Sequence, residues 1–248
     1  MFPWRKTRDP YSILVSEVML QQTGTERVIE KYEQFLRAFP DVQSLSRASP
    51  AAVLRIWKGL GYNRRALSIL KSAREIVARH GGKVPRTLLE LQELPGIGAA
   101  TAGAVMAFAF NIPAVFLETN IRRVFLHSFF PGAREVRDTE ILPIVENTID
   151  RRNPREWYYA LMDYGAMLKS KIPNPNRRSA HYARQPAFEG SRRQVRGKIL
   201  EALLGSGSLT LGGLGRAAGG EAAEIKSVVE DLVKEGFLTK SGSRFSLS

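Results

Sequence analysis

The stretch Leu94–Val124 reads LPGIGAATAGAVMAFAFNIPAVFLETNIRRV. It opens with a tight Pro95-Gly96-Ile97-Gly98 turn and runs through nineteen uncharged residues, Ala99 to Leu117. Glu118, Asn120, Arg122 and Arg123 then follow in close succession. Gly96 and Gly98 permit positive φ and close backbone approach. The small residues from Ala99 onward begin a helix whose first N–H groups have no partner inside it, and such an N-terminus readily takes an anion. In a chain this basic the expected anion is a DNA phosphate. From this stretch alone a plain corner between two core helices is an equal reading. Glu118, a carboxylate delivered at the end of an apolar run, tips the balance toward a working site.

The rest of the composition narrows the class. With 248 residues, 44% of them hydrophobic, the chain can bury one good core and a smaller second one. A net charge of +13 points to a polyanionic partner, nucleic acid before membrane. The absence of cysteine excludes disulfides, iron–sulfur clusters and Cys-ligated zinc. His80, His127 and His181 are scattered and form no ligand pattern. The N-terminal MFPWRKTRDPY lacks the apolar region of a signal peptide. Ala99 to Leu117 is long enough to raise a membrane helix, but Gly103, Asn111 and Pro113 interrupt it. The expectation is a cytoplasmic, monomeric protein without membrane contact, nucleoid-associated if prokaryotic.

Upstream, Asp9-Pro10 leads into an apolar helix, YSILVSEVMLQQ, over Tyr11–Gln22, with Glu17 among its apolar residues. A carboxylate there pairs with an arginine, faces a solvent edge or holds a proton through a raised pKa. A carboxyl kept protonated near neutral pH is what a general acid needs. Gln21, Gln22 and Thr23 close the helix with polar groups able to read base edges or fill a gap in a duplex, although without further context an ordinary helix end is the favoured reading. Amphipathic helices follow over residues 25–39, from Ser49-Pro50 to Trp57, and from Tyr62-Asn63-Arg64-Arg65 to His80, with Gly81-Gly82 as a stop. Tyr62, after a Gly59-Leu60-Gly61 break and beside Arg64, can stack on a base; a core aromatic is the equal alternative. A short helix over 87–93 and helices near 139–149 and 157–168 complete a body without strand alternation.

Residues 151–196 carry eleven Lys/Arg against Glu156, Asp163 and Glu189, a surplus of +8. Pro173, Pro175 and Pro186 make this segment read as a basic loop suited to tracking phosphates. From Arg193 the pattern changes to a helix, a turn over 209–213, two further helices and a small hairpin around Ser241-Gly242. Three helices closing on a hairpin is the winged-helix pattern, although its third helix, EIKSVVEDLVKE, is acidic.

Five motifs carry a resemblance. SEVMLQQT (Ser16–Thr23), WKGLGYNRRA (Trp57–Ala66), LPGIGAATAGAV (Leu94–Val105), the acidic-x-Asn turn Glu118–Asn120 and ALMDYGAM (Ala160–Met167) closely resemble the adenine DNA glycosylases that act on A/G mispairs. These belong to the helix-hairpin-helix base-excision superfamily. The likeness covers roughly residues 2–170. It implies a mainly α, two-lobed helix-hairpin-helix DNA glycosylase fold over residues 1–190, with 171–190 standing in for an iron–sulfur region. A small winged-helix-like domain then takes residues 191–248.

By the same resemblance Glu17 corresponds to the glutamate that protonates adenine and helps activate water. Glu118 takes the place of a catalytic aspartate, and Asn120 matches an asparagine near the reaction centre. Gln21, Gln22, Thr23, Tyr62, Arg64 and Arg122 fall to DNA contact, with Gln22 and Tyr62 as wedges. Pro95, Gly96, Ile97, Gly98, Ala100 and Thr101 form the backbone-gripping hairpin, whose turn is compatible with a monovalent cation. No other cofactor is implied, and no metal.

Four departures stand out. Glu118 is one methylene longer than aspartate, and the cluster cysteines are replaced by Lys169 and PNPNRRSAHYARQ. By the resemblance, Ala100 stands where bifunctional relatives carry a Schiff-base lysine, and a domain that reads 8-oxoguanine is not expected in these residues. The implied activity is a monofunctional glycosylase acting on double-stranded DNA with a mispaired or damaged base. The expected target is adenine opposite guanine or 8-oxoguanine. Removal of uracil or thymine opposite guanine, or of another damaged base, is the alternative within the class. A catalytically silent lesion- or operator-binding protein is the alternative outside it.

Overall fold

The computed structural model describes residues 1–185 and 187–248. Pro186, one of the three prolines behind the loop reading, lies outside the described residues. In chain order the helices are α1 (Pro10–Leu20), α2 (Thr25–Ala38), α3 (Val42–Ser46), α4 (Pro50–Trp57), α5 (Arg64–His80), α6 (Leu88–Glu93), α7 (Ala99–Phe110), α8 (Thr119–Phe129), α9 (Asp138–Thr148), α10 (Pro154–Lys171), α11 (Arg192–Ser206), α12 (Leu211–Ala218) and α13 (Ala222–Lys234). Three short strands, β1 (Ser208–Thr210), β2 (Leu238–Ser241) and β3 (Arg244–Leu247), complete the chain. The mainly α reading of the sequence therefore holds.

Compactness groups the chain differently from a linear boundary after residue 190. One unit comprises Met1–Val18 and Val84–Arg184, the other Met19–Lys83 and Gln185–Ser248. In the first unit, α7 is apolar on every side and buried from Ala102 to Ala109. Gly103 makes that possible, since a Cβ there would lie 2.7 Å from the Phe116 side chain. Tyr158 of α10 fixes the segment beyond it, donating to the Ala114 carbonyl at 2.7 Å and accepting from Phe116 N–H at 3.3 Å. α8 and α10 approach closely at Gly165, where an added Cβ would meet the Asn120 carbonyl at 2.3 Å. No helix among the described residues is long and apolar enough to cross a membrane.

In the second unit, α2, α4 and α5 close on Phe35, Leu45, Trp57 and Ile69, with Phe35 edge-on to Trp57. Asp41 starts α3 with a capping box, and Gly81 ends α5 in the left-handed conformation, as the Gly pair implied. The C-terminal segment packs α11, α12 and α13 around Ile199, Leu203, Leu214 and Val228. The expected hairpin is present as β2 and β3, but the sheet has three strands in the order β1-β3-β2, all antiparallel. The turn expected over 209–213 is half strand and half helix: Leu209 pairs with Phe245, and Thr210 caps α12 through Gly213 N–H. A three-residue strand is too short to show alternation.

The proline-rich basic segment is less of a loop than its composition suggested. α10 runs to Lys171 and α11 starts at Arg192, so these two helices hold six of its eleven Lys and Arg residues. Between them, Arg178 and Ala180 pair with the backbone of Val136, each at 2.9 Å. Arg178 adds a bond to the Phe130 carbonyl at 2.7 Å.

Candidate active site

The first unit brings Glu17, Glu118 and Asn120 into one electrostatic neighbourhood. Asp9 starts α1 by accepting from Ser12 N–H at 2.8 Å and from the Ser12 hydroxyl at 2.6 Å. Glu17 follows two turns later, flanked by buried Ser16 and Val18. Burial pushes its carboxyl from an ordinary 4.5 to about 8, and the charge of Glu118 pushes the same way. Only Arg5 opposes them, and no hydrogen bond is among the influences on Glu17. Arg5 is itself committed. It makes two 2.8 Å bonds to Asp163 and lies 4.5 Å from the centre of the Tyr159 ring. Tyr159 senses Glu17 too, and its hydroxyl is raised by burial first and by Glu17 second.

Glu118 meets different conditions. It is the N-cap of α8, and its Oε1 accepts from Asn120 N–H at 2.7 Å and Ile121 N–H at 2.8 Å. Burial raises its pKa, while these two N–H groups and then Arg123 and Arg122 act against that rise. A helix N-terminus favours negative charge. Its second oxygen, Oε2, has only a 3.4 Å contact with Asn120 Nδ2. Asn120 is held by Arg123, a buried residue whose Nη1 donates to Asn120 Oδ1 at 2.7 Å and to the Gly165 carbonyl at 2.6 Å. Asn176 secures the same turn from outside, donating to the Thr119 carbonyl at 3.0 Å.

A second negative charge nearby raises the cost of ionising Glu17 further. Burial raises both carboxyls, but two N–H groups oppose the rise at Glu118 and none does at Glu17, so Glu17 is the better placed of the two to hold a proton. That is the separation of roles an acid and a cation-stabilising carboxylate require.

The hairpin expected from Pro95 to Gly98 joins α6 to α7. Ile97 N–H bonds to the Leu94 carbonyl at 3.1 Å, and Ile97 is buried. Only Gly96 uses the left-handed region, at φ 80°; Gly98 is extended and caps α7. Gly98, Ala99 and Ala100 are exposed, so the first N–H groups of α7 face solvent, while Thr101 is half-buried. Arg122 is engaged by Asp138 through two bonds of 2.8 and 2.6 Å.

The second unit holds the remaining candidates. Gln22 and Tyr62 are two of the four non-glycine residues with positive φ among the described residues, at 54° and 47°. Such strain in a side-chain-bearing residue persists only where the surroundings enforce it. Here Arg65 enforces it. From α5 its Nη1 donates to the carbonyls of Met19 and Gln21 at 2.7 and 2.6 Å. Its Nη2 donates to Thr23 Oγ1 at 2.8 Å and reaches the carbonyls of Leu60 and Gly61 at 3.3 and 3.2 Å. The guanidinium also stacks 5.4 Å from both the Trp57 and Tyr62 ring centres, and burial lowers its pKa to about 10. Arg64, one position away, points elsewhere and binds Glu235 through two bonds. Tyr62 contacts Gln185 through its hydroxyl.

Arg65, Arg123, Arg5 and Asp163 were not singled out by the sequence. An arginine inside an apolar helical face, and an aspartate within ALMDYGAM, were the available signals.

The family description "HhH-GPD superfamily base excision DNA repair protein" matches residues 15–142. The chain belongs to this superfamily. An adenine DNA glycosylase of Buchnera aphidicola subsp. Baizongia pistaciae is 35% identical over 170 residues, covering 67% of this chain and 48% of that protein. The chain thus spans about half the length of the first curated relatives it matches. The adenine DNA glycosylase of Mycobacterium tuberculosis (strain CDC 1551 / Oshkosh) is 33% identical over 270 residues, covering 99% of this chain and 88% of that one. Among solved structures, a thermostable thymine-DNA glycosylase superposes with a TM-score of 0.60 and 28% identity, covering 67% of this chain and 78% of its own.

Members of the resembled group hold an iron–sulfur cluster, and this HhH-GPD chain does not fit one. Clusters are held by thiolates, whereas the corresponding positions here offer Lys169, asparagines and arginines, with no cysteine in the sequence.

Proposed function

We propose that this protein is a monofunctional DNA glycosylase of base excision repair that flips adenine from a mispair with guanine or 8-oxoguanine and hydrolyses its N-glycosidic bond. The observation that carries the reading is the opposed state of Glu17 and Glu118 within an HhH-GPD chain. Residues 1–190 form the glycosylase part, and 191–248 a winged-helix-like addition.

The chemistry runs in two steps. Protonated Glu17 donates to a ring nitrogen of the extruded purine, and the C1′–N9 bond breaks with its electron pair leaving on the base. The sugar is left as an oxocarbenium-like cation, the species that paired carboxyls handle in glycoside hydrolysis. Glu118 Oε2 is the oxygen free of the helix cap and stabilises that cation, while Asn120 orients the turn. Water then adds to C1′ and gives its proton to Glu17, which is restored. No electron changes hands, so the reaction needs no redox cofactor. With Ala100 at the lysine position no Schiff base forms, and strand cleavage by β-elimination is absent.

Base flipping needs a wedge and a grip. The strained, exposed Gln22 and Tyr62 serve as wedges, and the α7 N-terminus with the Pro95–Gly98 turn grips the backbone. The basic 171–190 segment, whose Asn176, Arg178 and Ala180 are bonded to α8 and the turn after it, takes over the structural work of the missing cluster. The partner is duplex DNA, bound by a monomer. The second reading is removal of thymine or uracil opposite guanine, and the likeness to a thymine-DNA glycosylase favours thymine within it.

Duplexes carrying A:8-oxoG, A:G, U:G, T:G or hypoxanthine, incubated with the protein and then heated in alkali, decide between them. Strand breaks at adenine are expected. Breaks only at thymine or uracil select the second reading, and binding without breaks on any duplex refutes both. Affinity should fall steeply with added salt, as phosphate contacts release counterions.

A further inference from the structure

A cavity of about 540 Å³ opens within the second unit, between α11 and the turn that joins α4 to α5. Its lining includes Gly61 and Asn63, the two chain neighbours of Tyr62. The opposite wall is built from leucines of α11, Gly197 and the approach to that helix at Phe188. Arg27, Lys58 and Lys198 add cationic groups.

These features match one ligand chemistry. The size and the largely apolar lining with a few charged groups are those of a small-ligand site. Phe188 is 59% exposed, with the Arg193 guanidinium 6.0 Å from its ring centre. An aromatic face beside cations is what proteins use to hold single nucleotides of an unpaired strand. Lys58 is bridged to Glu201 at 2.6 Å, but both side chains are 59% exposed, so water screens the pair and a phosphate can compete for the lysine. Gly197 is the telling residue. It lies within a helix, where glycine is unfavourable, and an added Cβ would meet nothing within 4 Å. Its missing side chain helps to leave the cavity open and serves no close packing.

We infer that this cavity receives an unpaired DNA nucleotide, the one Tyr62 displaces from the strand facing the target base. The base lies on Phe188 and the phosphate between Lys198, Lys58 and Arg27. This rests on the glycosylase reading of Tyr62, and it gives the C-terminal segment a share in sensing the opposite strand.

The test uses the full chain, a duplex with one A:G mispair and its matched counterpart, both labelled for fluorescence anisotropy. Gly197→Phe adds a ring at a position where an added Cβ meets nothing within 4 Å, and Phe188→Ala removes the stacking face from an exposed site. Each variant should weaken the mispaired duplex about tenfold more than the matched one, the loss of one base–aromatic stack. Wild-type affinity for the mispaired duplex in both variants overturns the inference, and so does an equal loss for the two duplexes. Should Gly197→Phe lower the thermal midpoint, Phe188→Ala alone decides. Excision by the unmodified protein is read alongside. No excision with a pocket-dependent preference for the mispair overturns the glycosylase reading only. Excision without that preference overturns the pocket only.

Discussion

The middle of α1 and the first turn of α8 present the same side chain under opposite conditions. At Glu17 the surroundings offer burial and a neighbouring negative charge, with one arginine already spoken for by Asp163. At Glu118 two backbone N–H groups and two arginines meet a carboxyl that is also buried. Burial acts on both, so burial alone does not separate their roles. Hydrogen bonds aimed at one oxygen of Glu118 do. A protein can therefore set an acid and an anion from identical residues by choosing which one sits on a helix end.

The comparison breaks most visibly at Glu17. Glu17→Gln cannot donate the proton, and single-turnover excision should fall by about 10³- to 10⁴-fold, at the upper range for a general acid. Binding to the mispaired duplex should persist. The wild-type rate should decline as pH rises through about 8, where Glu17 loses its proton. A flat profile from pH 6 to 10 would show that another group supplies it.

Stability gives an independent check with a definite sign. Glu17 holds its proton up to about pH 8 when folded, whereas the unfolded carboxyl releases it near 4.5. The folded state therefore binds more protons between those values, and stability falls as pH rises through that window. Glu17→Gln escapes this loss. Its thermal midpoint should gain on wild type from pH 4.5 to 8, by an amount corresponding to roughly 3 kcal/mol at pH 7.

Glu118 should give the next largest effect. Glu118→Gln keeps an oxygen for the helix cap and removes the charge, so excision should drop by about 10²- to 10³-fold, the cost typical of one lost electrostatic stabiliser. Unfolding should change by less than about 1 kcal/mol because the cap survives. Glu118→Asp keeps the charge and withdraws it by roughly one bond length, about 1.5 Å. Its rate should exceed that of Glu118→Gln, which separates charge from reach.

At Gly165 the turn carrying Asn120 meets α10 without room for a methyl group. Gly165→Ala should cost about 1–3 kcal/mol as overpacking, read by chemical denaturation. A smaller cost would mean that α8 yields easily and that the position of Glu118 is soft.

Much of this was legible beforehand because the governing signals are local. The Gly turn before α7, Asp9 before α1 and the Gly pair after α5 each set a boundary through their own backbone preferences. Glu17 stood out because a charge in an apolar run demands an explanation. The brace made by Arg65 was not legible, since its acceptors are backbone carbonyls, which any sequence supplies. Gly165 was equally silent, because the carbonyl it makes room for belongs to a distant turn. The third strand escaped for want of length. Arg64 and Arg122 look like free cations in sequence, yet Glu235 and Asp138 hold them in the fold.

The many-handed guanidinium of Arg65 has a dynamic consequence. It bonds to the chain beside both Gln22 and Tyr62, at Met19, Gln21 and Thr23 and again at Leu60 and Gly61. Neither segment can loosen without giving up bonds on the same side chain. Their amide hydrogens should therefore exchange with solvent in a single correlated opening, and Arg65→Lys, with a smaller head and fewer donors, should split that event in two.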